Sequence, residues 1–263
     1  MNFRLYPAVF LLAFPILLLS MHTHKANADE IIYFDGEFLD TDWTATEIHD
    51  FAADTEIARV STSGNPGANL RIQNIGNSGN SYTRFFYRSE NAIYDPSVQG
   101  TIDEIEYSED SRFIANSGGT TGRIQGYGLA LWQAGNIYQA DGGYTNSSDN
   151  WEQQLNTFTS SDFFLIRLDG TSSSLFAPDF TATGDSISFG FWRANSAGGS
   201  SQYSMTSAID NWQVHINPTA VPEPSSMLLL GVASVFAVGR RRRAKSHSHL
   251  ISDGRPASGR AMR

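Results

Sequence analysis

Between residues 29 and 220 the chain shows no apolar stripe with a helical period, and good helix formers are sparse. Apolar residues instead come in short aromatic and β-branched runs, broken by Gly, Ser, Thr, Asn and Asp about every 8–12 residues. Thr101–Tyr107 alternates strictly, with Ile102, Glu104 and Glu106 on one face and Asp103, Ile105 and Tyr107 on the other. Tyr127–Trp132, then Gln133-Ala134-Gly135-Asn136, then Ile137-Tyr138 predicts a hairpin. Phe163–Leu168 is a further strand. Ser186–Trp192 aligns Ile187, Phe189 and Phe191, and Ile209–Ile216 aligns Trp212, Val214 and Ile216 as a closing strand, with Pro218 opening a linker. No repeat of fixed period occurs, so propellers and solenoids are excluded. The expected fold class is all-β, a jelly-roll β-sandwich over residues 29–217.

The two ends follow different rules. Arg4, the apolar run Val9–Ser20 and the small-x-small triplet Ala26-Asn27-Ala28 read as a signal peptide over 1–28, cleaved after Ala28 by signal peptidase. At the other end, 218–226 forms a linker holding Pro222-Glu223-Pro224, whose prolines keep it extended. Residues 227–243 combine an apolar run, Met227–Val238, with Arg240, Arg241, Arg242 and Arg243, a stop-transfer cluster under the positive-inside rule. As a helix, Ser225–Gly239 would be only about 22 Å long, short against about 30 Å of hydrocarbon. Insertion into the inner membrane is therefore expected to be transient. Residues 244–263 are a polar, basic tail that reads as disordered.

Charge narrows the partners. Between 29 and 220 stand eight arginines and no lysine against 25 acidic residues, a net charge of −17. That argues against nucleic acid, whose binding needs cationic neutralisation of phosphate, and favours cations or neutral polymers such as polysaccharide. No cysteine is present, so the core must hold without disulfides.

The order Pro-Glu-Pro, apolar run, arginine cluster resembles the PEP-CTERM sorting signal. The resemblance implies an exosortase-type membrane protease as partner, acting near Pro222-Glu223-Pro224, and a place at the cell envelope or in the extracellular matrix. This chain runs 20 residues past the arginines, whereas that family ends soon after them. The middle is also familiar. Asp162-Phe163, Pro178-Asp179-Phe180, the run Ile187–Ser196 and Ile209-Asp210-Asn211-Trp212 resemble PEP-CTERM proteins with a concanavalin A-like, lectin-type jelly roll. That superfamily includes lectins, glycosidases and purely structural domains, so it implies a fold and not a function.

Candidate chemistry is thin. Glu104-Ile105-Glu106-Tyr107-Ser108-Glu109 resembles the Glu-x-Asp-x-x-Glu signature of laminarinase-type retaining glycosidases. The resemblance makes Glu104 the nucleophile, Glu109 the acid/base and Glu106 the helper, with the carboxylates about 5 Å apart. Glu106 stands where that family has Asp, and no tryptophan precedes the motif. Two histidines in the domain, His49 and His215, are too few for a His-based zinc site, and no Gly-x-Ser-x-Gly supports a serine triad. A structural calcium, which needs hard oxygen ligands, is expected at Glu37 and Asp210 among Asp35, Asp40 and Asp42. Trp132 and Trp192 are the expected ligand contacts, with Tyr138, Tyr144 and Trp151 as further platform candidates. The reading is a non-enzymatic exported protein, structural or polysaccharide-associating, with a lectin-like module as alternative and a glycosidase as a second.

Overall fold

The computed structural model describes residues 29–49, 53–76, 82–118, 124–145, 147–167, 169, 171–196 and 202–219. The expected signal peptide, including Ala28, lies outside the described residues, as do Pro222-Glu223-Pro224, the apolar run, Arg240–Arg243 and the basic tail. The described strands are β1 (Ile31–Asp35), β2 (Trp43–His49), β3 (Ala53–Gly64), β4 (Gly67–Gly76), β5 (Tyr82–Tyr94), β6 (Thr101–Gly118), β7 (Gly126–Gln133), β8 (Asn136–Ala140), β9 (Gly143–Tyr144), β10 (Glu152–Phe158), β11 (Phe163–Ile166), β12 (Ser172–Ser173), β13 (Ile187–Ser196) and β14 (Tyr203–Thr219). One short helix, α1 (Pro96–Gln99), joins β5 to β6. Asp95 caps it by accepting from the Ser97 backbone N–H, and Pro96 opens it.

The strands form two antiparallel sheets. One, of six strands, runs β10-β6-β14-β4-β3, with β1 also on β14. The other, of eight, runs β12-β11-β8-β7-β13-β5-β2, with β9 also on β7. Consecutive strands switch sheets repeatedly: β2 to β3, β4 to β5, β5 to β6, β6 to β7 and β13 to β14 all cross over. This is a jelly-roll β-sandwich.

Alternation explains the layers. On β14, Ile209, Trp212, Val214 and Ile216 point into the core, facing Phe189 and Phe191 of β13, Leu129 and Leu131 of β7, and Phe85 and Tyr87 of β5. Trp43 is the hub. It stacks on Tyr87 at 5.1 Å and meets Trp212 edge-on at 5.0 Å, while its Nε1 donates to Asp35 at 2.6 Å. Such aromatic pairs contribute about 0.5–1.5 kcal/mol beyond their buried area. The expected β7–β8 hairpin is present, with Gln133 opposite Asn136. Ala134 and Gly135 both take positive φ, 51° and 77°, as this tight turn requires.

Two expectations at the edges of strands change. Ile102 turns inward with Ile105 rather than outward with Glu104, because the pairing of β6 to β14 slips between Ile216 and Pro218. Such a bulge shifts one residue to the other face. The same slip lets Pro218 sit inside β14, opposite Ile102, so the strand runs to Thr219, past the expected start of the linker.

Candidate functional site

The eight-stranded sheet has two apolar faces. Paired residues share a face, so Trp192 on β13 lies beside Phe86 on β5 and Gly128 on β7. Trp132 lies beside Ser188 and Ile137, and Ile166 beside Ile137. Together with Ile48 and Ala130, and with Trp132, Phe164 and Ala194 packed against them, these residues form a second cluster on the outer face. A solvent-facing sheet surface is ordinarily polar. The run Phe85-Phe86-Tyr87 makes the difference: Phe85 and Tyr87 fill the core while Phe86 supplies the outer face.

Glycines shape this surface. A Cβ on Gly128 would lie 2.7 Å from Trp192 Nε1, and one on Gly126 would lie 3.2 Å from the Trp192 ring. The indole therefore lies flat across β7, and its Nε1 donates to the Ala140 carbonyl at 2.8 Å. Trp192 is only 4% exposed, so it builds the floor. Trp132 is half-buried, edge-on to Phe86 at 6.5 Å. Polar groups ring the apolar patch. Arg84 lies over the Tyr82 ring at 5.1 Å, and burial lowers its pKa, with Tyr82 and Asp141 opposing. Its Nε and Nη1 meet no acceptor. Arg88 donates to Glu90 at 2.8 Å. Sequence reasoning missed Arg84, Phe86 and Phe164; the only signal was the unbroken aromatic run on β5.

The structure does not bring together the carboxylates of the glycosidase-like motif. Glu104 is exposed on the outer face of the six-stranded sheet. Glu106 lies on that face too, 3.0 Å from His215 Nδ1, while His215 Nε2 lies 2.5 Å from Glu30. Glu109 points the other way, into the core, with no exposure. There it accepts from Arg193 Nη2 at 2.6 Å and from the Tyr107 hydroxyl. Burial opposes the Arg193 charge, but Glu109 and Tyr107 outweigh it and raise the Arg193 pKa. Burial, then Glu109, pushes the Tyr107 hydroxyl well above its ordinary value, so it serves as a neutral donor. Because Glu104 and Glu109 differ by an odd number of residues, strand alternation sends them to opposite faces.

Asp210 lies in mid-strand on β14, opposite Asp110 of β6, and Glu37 follows β1. Glu37 pairs with Arg59 at 2.7 Å. Asp210 is fully buried, and its carboxylate accepts from the backbone N–H groups of Asn65 and Asn211. Burial raises its pKa, these donors oppose, and Asp110 and Glu37 add to the rise. Asp110 in turn accepts from the side-chain amides of Asn65 and Asn211, at 3.0 and 2.7 Å. Asp35 is committed to Glu37, Phe38 and Trp43. Among the described residues no group of three or more His, Asp or Glu side chains is arranged to hold a metal ion. Of the remaining aromatics, Tyr138 is buried in the core, Tyr144 is 69% exposed, and Trp151 is half-buried against Arg112.

The fold and its surfaces thus define a jelly-roll β-sandwich with one aromatic outer face. Residues 220–243 match the PEP-CTERM protein-sorting motif, so the chain is an exported protein with a C-terminal sorting signal. No curated protein matches it significantly. Several solved structures are similar. The family 11 carbohydrate-binding module of the cellulosomal cellulase Lic26A-Cel5E of Clostridium thermocellum is 15% identical, with 74% of this chain and 98% of that one covered and a TM-score of 0.37. The CBM22-1-GH10 modules of endo-1,4-beta-D-xylanase 10B of Clostridium thermocellum, complexed with xylohexaose, are 11% identical, covering 70% and 28%, with a TM-score of 0.40. The mannan-recognising module TmCBM27 is 12% identical, covering 72% and 99%, with a TM-score of 0.34. Among the described residues no helix is long and apolar enough to cross a membrane.

Proposed function

We propose that this protein is a non-enzymatic, exported polysaccharide-associating module that works at the cell envelope or in the extracellular matrix. The outer face of the eight-stranded sheet is its sugar-contacting surface. The observation that carries this reading is the apolar outer cluster around Trp132 and Trp192, where alternation calls for polar side chains. Trp192 forms the rigid floor, Trp132 offers the half-exposed ring, Arg84 offers donors and the Gln139 amide oxygen an acceptor for hydroxyls. Flat apolar surface with few placed polar groups suits a sugar ring, which has apolar C–H faces and polar edges. Export follows the N-terminal segment, cleaved by signal peptidase after Ala28. The C-terminal segment then inserts transiently in the inner membrane, held by Arg240–Arg243, and is processed by an exosortase-type membrane protease near Pro222-Glu223-Pro224.

The experiment is a binding panel of neutral bacterial and plant polysaccharides, with reducing-sugar release followed in the same samples. Saturable binding lost in Trp132→Ala, without sugar release, supports the reading. Sugar release by the wild type, abolished in Glu104→Gln, would replace it with a hydrolase. A passive structural domain is the second reading, favoured by the near-complete burial of Trp192, and it is left if the panel shows no binding.

A further inference from the structure

A second feature lies on the opposite sheet. Ala208 on β14 is paired with Arg71 on β4 and with Arg112 on β6. All three side chains point outward, since their neighbours Leu70, Ile72, Ser111 and Ile209 are buried inside. The two arginines therefore flank one alanine across three strands, about 9.6 Å apart at the backbone by the usual strand spacing. Ala208 between them is small and fully buried. Trp151, just before β10, extends the row: the Arg112 guanidinium lies over its ring at 4.7 Å. A further Arg112 bond, Nη2 to the Ser63 carbonyl at 3.0 Å, fixes the side chain.

Nothing in the described protein neutralises this pair. No carboxylate lies within ion-pairing distance of Arg71 or Arg112 among the described residues, and the Nε of each is buried without an acceptor. The nearby acids Asp110 and Asp210 accept from the amides of Asn65 and Asn211 instead. Burial lowers the Arg112 pKa, and Arg71 lowers it further, which is how two like charges held close behave. In a domain of net charge −17, surface arginines would be expected to find acidic partners. Two that flank one small residue without one offer donors for an oxyanion.

We propose that Arg71 and Arg112 form an anion-binding site on the outer face of the six-stranded sheet, and that its ligand is the carboxylate of an acidic polysaccharide, a polyuronate. The site is independent of the sugar-contacting face on the other sheet. The strongly acidic remainder of the surface repels a polyanion, so contact is confined to this row and is sensitive to salt. Trp151 holds Arg112 in place and adds apolar surface beside the carboxylate, where a sugar ring would lie.

The test is calorimetric titration of the full chain in detergent with a hexameric oligouronate, and separately with sodium sulfate, at low salt. The expected result is saturable oligouronate binding, weakened at least about tenfold by Arg71→Gln and by Arg112→Gln, which removes about 1.4 kcal/mol. Arg167→Gln, in the turn just past β11 of the other sheet, should leave binding unchanged. Unaltered circular dichroism separates loss of the site from loss of the fold, and Arg71→Gln, which disturbs no other bond in the structure, keeps the test decisive. Sulfate binding that depends on both arginines, without oligouronate binding, would overturn the polysaccharide assignment. Binding unaffected by either substitution, or no binding of either probe, would overturn the site.

Discussion

Replacing Glu109 by Gln should be among the most damaging single changes in this domain. The Glu109 carboxylate ties the two sheets together through Arg193, both groups having no solvent exposure. Gln keeps the size and one carbonyl acceptor but removes the charge. Arg193 then remains buried without a counter-ion, with its Nε already unpaired and Nη1 bonded only to the Trp192 carbonyl. Breaking one side of a buried ion pair costs about 3–5 kcal/mol. For a domain of roughly 190 residues each kcal/mol moves Tm by about 2–4 °C, so a fall on the order of 10 °C is expected. Thermal unfolding followed by circular dichroism measures it. The double variant Glu109→Leu with Arg193→Met should recover most of the loss, since apolar replacements of a buried pair are often neutral. A Glu109→Gln variant within about 2 °C of wild type would refute the reasoning, because that outcome requires Arg193 to reach solvent.

Alkaline pH provides a second check. Burial raises the Tyr94 and Tyr127 hydroxyls to about 12, and pushes Tyr107 well above its ordinary value. A folded pKa above the unfolded one contributes stability that is fully present below pH 10 and is lost as pH rises through the folded value. Tm should therefore be level up to about pH 10 and fall beyond it; a Tm that stays unchanged between about pH 10 and 12 would contradict this. Gly128→Ala should drive a methyl group into the Ala140 carbonyl and the Trp192 indole, costing about 1–3 kcal/mol and weakening sugar binding; unchanged unfolding would show that the indole moves freely. Calcium added to chelator-treated protein is expected to leave Tm unchanged, because amide donors already satisfy Asp210 and Asp110; a rise in Tm would contradict this. Mass spectrometry of the exported product should find Asp29 at its N-terminus and the arginine cluster missing; an intact C-terminus would refute processing there.

Much of the sandwich was legible in the chain because strand alternation is a local property. The inward rows Ile187-Phe189-Phe191 and Trp212-Val214-Ile216 both line the core, and the β7–β8 turn falls where Ala134-Gly135 stands. What alternation cannot show is a slip in pairing. Ile102 and Pro218 depart from expectation at one bulge, whose cause lies in the partner strand. Pairing across sheets is equally hidden. Glu109 reads as one acid in an acidic strand, and its partner Arg193 lies 84 residues away. The outer aromatic face was half visible: Trp132 and Trp192 were expected contacts, yet Trp192 is floor rather than rim because Gly126 and Gly128 let it lie flat. The arginine pair at Ala208 leaves no trace in sequence, since three strands far apart in the chain assemble it.

The most direct measurement is a titration of the full chain against soluble neutral polysaccharides, comparing wild type with Trp132→Ala and Arg84→Ala. Saturable binding weakened by both substitutions, with unfolding temperatures preserved, is the expected result. Wild-type binding that survives both substitutions, or no binding to any polysaccharide, would contradict a sugar-contacting role for the outer face of the eight-stranded sheet.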